Sequence, residues 1–112
     1  MSQSEIPDQW ADISPIEAPD GWYGGSVQHT GGNVFNRVWR TVEDPAEADT
    51  GEYFEVGYDG EFQGASLVRY VSDPNMGFVW DEHIADEEAT AQTDEACAEA
   101  ALTLMEAYNP ER

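Results

Sequence analysis

Residues 52–71 read EYFEVGYDGEFQGASLVRYV. Two runs rich in aromatic and β-branched residues, 52–58 and 61–71, flank Asp59-Gly60, a pair that suits the positive φ of a two-residue type I′ turn. The stretch therefore reads as a β-hairpin. Upstream, 22–30 and 33–42 have the same character and are separated by Gly31-Gly32, so a first hairpin precedes it. Between the hairpins, 43–51 carries Pro, Gly and several acids but no large apolar residue, which predicts a solvated connection. Downstream, 72–77 reads as a turn and Phe78-Val79-Trp80 as a short fifth strand.

After residue 92 the period changes. Cys97, Ala100, Ala101, Leu104, Met105 and Tyr108 fall on one helical stripe, while the opposite face is acidic. Thr93 suits the N-cap, Asp94 and Glu95 favour the positive end of the helix dipole, and Asn109-Pro110 stops the helix. A start as early as Asp86 is the alternative, because 85–92 has helix formers but no large apolar anchor. The expected fold is α+β: an antiparallel sheet of four to five strands built from two hairpins, with the C-terminal helix packed on one face. The other face is also partly apolar. Residues 1–20, in which Ile6, Trp10, Ile13 and Ile16 sit among prolines, are read as an N-terminal strap or flexible arm before a single domain over 21–112. That strap, or a second subunit, is the expected cover.

The chain has 112 residues, a formal charge of −20, thirteen aromatic residues and no lysine. A chain of this size builds one core, and its aromatic content separates it from a disordered acidic polymer. Carboxylates in excess with lysine absent resemble a halophile's protein, in which molar salt screens self-repulsion and acidic side chains hold water. The charge argues against direct nucleic-acid or membrane binding, both of which rest on clustered Lys and Arg. No apolar run approaches the roughly 20 residues of a membrane span, and the first ten residues lack a secretory pattern, so a cytoplasmic protein is expected. The single Cys97 excludes internal disulfides and Cys-rich metal folds. On the apolar helix stripe it reads as core.

The acids are unevenly placed. None lies between Gly21 and Val42 or between Phe62 and Ser72, whereas 43–61 and 81–99 hold eight each. Inside the acid-free strands lie Arg37, Arg40 and Arg69, interleaved with Phe35, Trp39 and Tyr70. A guanidinium can grip an anion bidentately and a ring can stack a flat ligand, so Phe35, Arg37, Trp39, Arg69 and Tyr70 form the candidate binding set. Two observations weigh against one pocket: alternation sends Arg37 and Arg40 to opposite faces, and Glu52, Glu55 or Glu61 could neutralise the arginines across strands. The acidic run 81–88 reads as a solvated helix entry. His83 and Glu87 would share a face there, but no metal-binding motif is present and no metal or cofactor is expected. Residues 24–32 are glycine-rich without the lysine or helix of a phosphate loop, and Ser26 and His29 lack the context of a nucleophile elbow. Catalysis is not expected. The reading that remains is a non-enzymatic protein-interaction module, engaging a second copy or a protein partner through an aromatic sheet face. The alternatives are a small-ligand or nucleotide-binding protein using the sheet arginines, and an acidic nucleic-acid mimic with its carboxylates in a row.

Overall fold

The computed structural model describes residues 16–31, 34–47 and 51–108. Five strands, β1 (Tyr23–Gly31), β2 (Val34–Arg40), β3 (Glu52–Asp59), β4 (Gly64–Asp73) and β5 (Gly77–Glu88), are followed by helix α1 (Asp94–Ala107). The strands form one antiparallel meander in the order β1-β2-β3-β4-β5, and α1 packs on β3, β4 and β5. The α+β reading holds. The Gly32-Asn33 end of the first turn, residues 48–50 of the connection, the Asn109-Pro110 stop and strap residues 1–15 lie outside the described residues.

The helix forms where its pattern places it. Thr93 is the N-cap, with its hydroxyl accepting from the Ala96 amide at 3.1 Å, and Cys97, Ala100, Ala101, Leu104 and Met105 are buried. Tyr108, expected on the same stripe, instead caps the C-terminus and stays exposed. The core lies between α1 and one face of the sheet, where Phe35, Trp39, Val56, Tyr58, Ala65 and Leu67 point at the helix. Ile16 and Ala18 pack against this same cluster, and Trp39 donates its indole N–H to the Ile16 carbonyl at 3.2 Å.

Two local expectations are corrected. The β3–β4 connection is longer than a two-residue turn. Phe62 donates its amide to the Asp59 carbonyl, the Asp59 carboxylate accepts from the Glu61 amide, and the positive φ falls on Phe62 at 53° rather than on Gly60. Burying the Phe62 ring in the core compensates for a backbone conformation that a bulky side chain seldom adopts. The acidic run 81–88 is strand and not a helix entry: β5 continues to Glu88, twelve residues in all. Pairing with the apolar β4 overrides the weak strand propensity of Asp and Glu, and their charge suits an edge strand by discouraging further pairing. Two bulges accommodate the run, with Ile84 and Asp81 as the extra residues between Leu67/Val68 and between Arg69/Tyr70.

Candidate functional site

Alternation along β2 places Phe35, Arg37 and Trp39 on the helix side, and all three are sealed there, at 7%, 0% and 0% exposure. Arg37 is held on every side of its guanidinium. Its Nε and Nη2 donate to the two carboxylate oxygens of Asp94 at 2.9 and 2.7 Å, and Nη1 donates to the Gly25 carbonyl at 2.6 Å. The Tyr58 hydroxyl adds a bond to Asp94 Oδ1 at 2.6 Å. Burial, then the hydrogen bond to this carboxylate, pushes the Tyr58 phenol far above its ordinary 10.0. The group is a buried staple tying β1, β2 and β3 to the first turn of α1. A bidentate pair of this kind has no coordination left for a substrate anion.

Arg69 shares the helix side of the sheet but lies at its margin, against Glu52 at 2.6 Å and Asp81 at 3.2 Å. The bulge at Asp81 brings that carboxylate within reach. Tyr70 faces the opposite way. The five candidate residues thus divide into a buried trio, a surface ion pair and one ring on the far face, and they line no common pocket. Arg40, facing the same way as Tyr70, forms an ion pair with Glu55 at 2.9 Å directly across the β2–β3 ladder.

The far face of the sheet carries the feature that sequence reading passed over. Tyr53 and Tyr70 are cross-strand partners and stack with ring centroids 5.0 Å apart at 6°; Phe78 meets Tyr53 edge-on at 4.9 Å. Trp80 stands opposite Tyr70 in the β4–β5 register and is 56% exposed. The Arg40–Glu55 pair lies beside these rings. Burial, then the negative charge of Glu55, raises the phenols of Tyr53 and Tyr70. Tyr23, across from Arg40 on β1, and Met76 in the β4–β5 turn add exposed apolar surface. Tyr53 is buried, Tyr70 and Phe78 are half-buried and Trp80 is exposed, and α1 packs on the other side of the sheet. The signal was available: Tyr53, Tyr70, Phe78 and Trp80 share a face once β5 is paired to β4, but the register requires the Asp81 bulge.

Further along the same face, beside the β3–β4 turn, lies a hollow of about 630 Å³. Gly57 forms part of its floor, Val38 and Val68 line it, and Glu55, Glu61, Asp86 and Glu88 give it negative charge. Asn36 lines it too, and its Oδ1 is buried with no hydrogen-bond partner among the described residues. The Asp86 carboxyl, which accepts from Ser66 at 2.7 Å and meets His83 Nε2 at 2.8 Å, is held below the usual carboxylate range by the Ser66 hydroxyl first and by His83 second. His83 and Glu87, which a helix would have put on one face, pair with Val68 and Ala65 and so lie on opposite faces. Among the described residues, no three His, Cys, Asp or Glu are placed to hold a metal ion, and no helix is long and apolar enough to cross a membrane.

No family model, curated protein or solved structure matches the chain.

Proposed function

We propose that the chain is a non-enzymatic interaction module of a salt-adapted cytoplasmic protein, and that it engages a protein partner through the helix-free face of its sheet. The observation that carries this reading is the row of Tyr70, Phe78 and Trp80, rings gathered on the face that α1 does not cover, in a molecule whose charge is −20. Aromatic residues dominate the binding energy of protein interfaces, and a large exposed indole ringed by apolar contacts marks a docking point. Ligand binding by the sheet arginines has less support, because Arg37 is consumed by Asp94 and the Arg40 and Arg69 pairs sit on opposite faces. Mimicry of nucleic acid also has less, since β5 divides its carboxylates between two faces and Asp94 is buried.

A photo-reactive phenylalanine analogue at position 80, compared with one at position 103 on the exposed side of α1, tests the reading in the source cells. A discrete cross-linked protein from position 80 alone is the expected result. Equal yields from both positions, or adducts from position 103 only, would overturn it.

A further inference from the structure

The open face has two parts: the ring row at one end and the acid-lined hollow at the other. They are joined without interruption, because Glu55 and Val68 line the hollow while Tyr53 and Tyr70 lie two residues further along the same strands. From Tyr53 to Gly57 the sheet rises by four residues, about 13 Å at the usual strand spacing. An extended chain laid along the face covers that span in about four residues of its own.

Resting on the interaction-module reading, we propose that the partner of this face is a basic polypeptide segment that seats an apolar side chain on Tyr70, Phe78 and Trp80 and, about four residues away, an arginine or lysine in the hollow lined by Glu55, Glu61, Asp86 and Glu88. Charge complementarity selects this occupant over a second copy of the chain. Each copy carries −20, and apposing two such hollows would bring like charges together, which is unfavourable at an interface. Against a cationic segment the same carboxylates attract, and the exposed Trp80 indole accepts a cation over its face. The hollow suits a guanidinium or ammonium head because carboxylates dominate its charge and the Asn36 Oδ1, a further acceptor, accepts nothing from the described residues; the donors that line it are few, and the Ser66 hydroxyl is already given to Asp86. The aliphatic stem of either side chain would lie against Val38 and Val68.

The test uses the full chain and a fluorescent ten-residue peptide with one leucine and an arginine four positions later. A scrambled peptide with the two adjacent and a version with glutamate for arginine serve as controls, with sedimentation run in parallel. The expected result is saturable binding of the first peptide, weaker binding of both controls, and a loss of about tenfold on Trp80→Ala. The Glu61→Gln/Glu88→Gln double variant should lose about threefold in dilute salt and a smaller factor in 2 M potassium chloride, which screens exposed charges strongly but a cation seated against the carboxylates of the hollow much less. Equal binding of the three peptides would overturn the basic-segment proposal. A dimer that forms without peptide and is abolished by Trp80→Ala would also overturn it while leaving the open face as the interaction surface. Failure of the interaction reading looks different: no species, peptide or copy, responds to Trp80→Ala. Circular dichroism of Trp80→Ala, whose side chain is exposed, confirms that any loss of binding is not a loss of fold.

Discussion

Arg37 shows how one side chain can be legible in type and illegible in role. Its position in an acid-free strand marks it as unusual, yet its partner Asp94 is 57 residues away and reads locally as a helix-dipole residue. Cross-strand logic did anticipate carboxylates for the other two sheet arginines: Arg40 meets Glu55 and Arg69 meets Glu52. Removing one member of a buried pair strands the other, so Asp94→Ala is expected to cost about 3–5 kcal/mol in urea unfolding. The double variant Arg37→Met/Asp94→Leu should recover most of that loss. A double variant no better than the single would show that the charges themselves, and not their mutual satisfaction, hold the helix in place.

Two protonated groups beneath the helix give the fold an alkaline limit. Burial raises the Cys97 thiol above its ordinary 9.0, and burial with the Asp94 bond raises the Tyr58 phenol above 10.0. Unfolded, both release their protons at lower pH than they do folded. Their contribution is therefore complete below about pH 9 and is lost progressively above it, as the unfolded chain ionises first. Stability measured between pH 8 and 11 should fall, more shallowly in Tyr58→Phe; a flat profile would contradict the buried placement.

At the scale of elements, α1 was readable to its cap because helix signals are local: the stripe, Thr93 and the acids that follow. Thr93→Ala should cost about 1 kcal/mol by freeing the Ala96 amide, measured by thermal unfolding. A loss under a few tenths would mean that water replaces the cap. Strand β5 was not readable past Trp80, because a run such as Asp81-Glu82-His83 has the composition of a solvated turn. What makes it a strand is the partner it finds in 64–73 and two bulges that no propensity encodes. The Asp59-Gly60 signal correctly placed a turn but not its length, since seating Phe62 in the core outweighs the ideal two-residue geometry.

At the scale of the molecule, the two faces of the sheet differ in what they carry. The helix-covered side holds Trp39, Leu67, Val56 and the Arg37 staple, and the other side presents rings and carboxylates. Sequence composition indicated one core and a second partly apolar face, but it could not place Phe35 and Trp39 beneath the helix, because alternation cannot say which face the helix takes. With a charge of −20, folding gathers like charges, and raising potassium chloride from 0.1 to 2 M should raise the thermal midpoint by screening them. A midpoint that falls with salt would remove the reading of the carboxylates as an adaptation to brine.

The division between a face that holds the core and a face proposed to meet a partner is tested most directly by urea unfolding of Trp39→Ala beside Trp80→Ala. The two tryptophans lie on opposite sides of the same sheet, one at 0% and the other at 56% exposure. The account predicts a loss of about 3–5 kcal/mol for Trp39→Ala and about 0.5 kcal/mol or less for Trp80→Ala. Comparable losses for the two would contradict it, because Trp80 would then belong to a second core and the ring row would not be free for a partner.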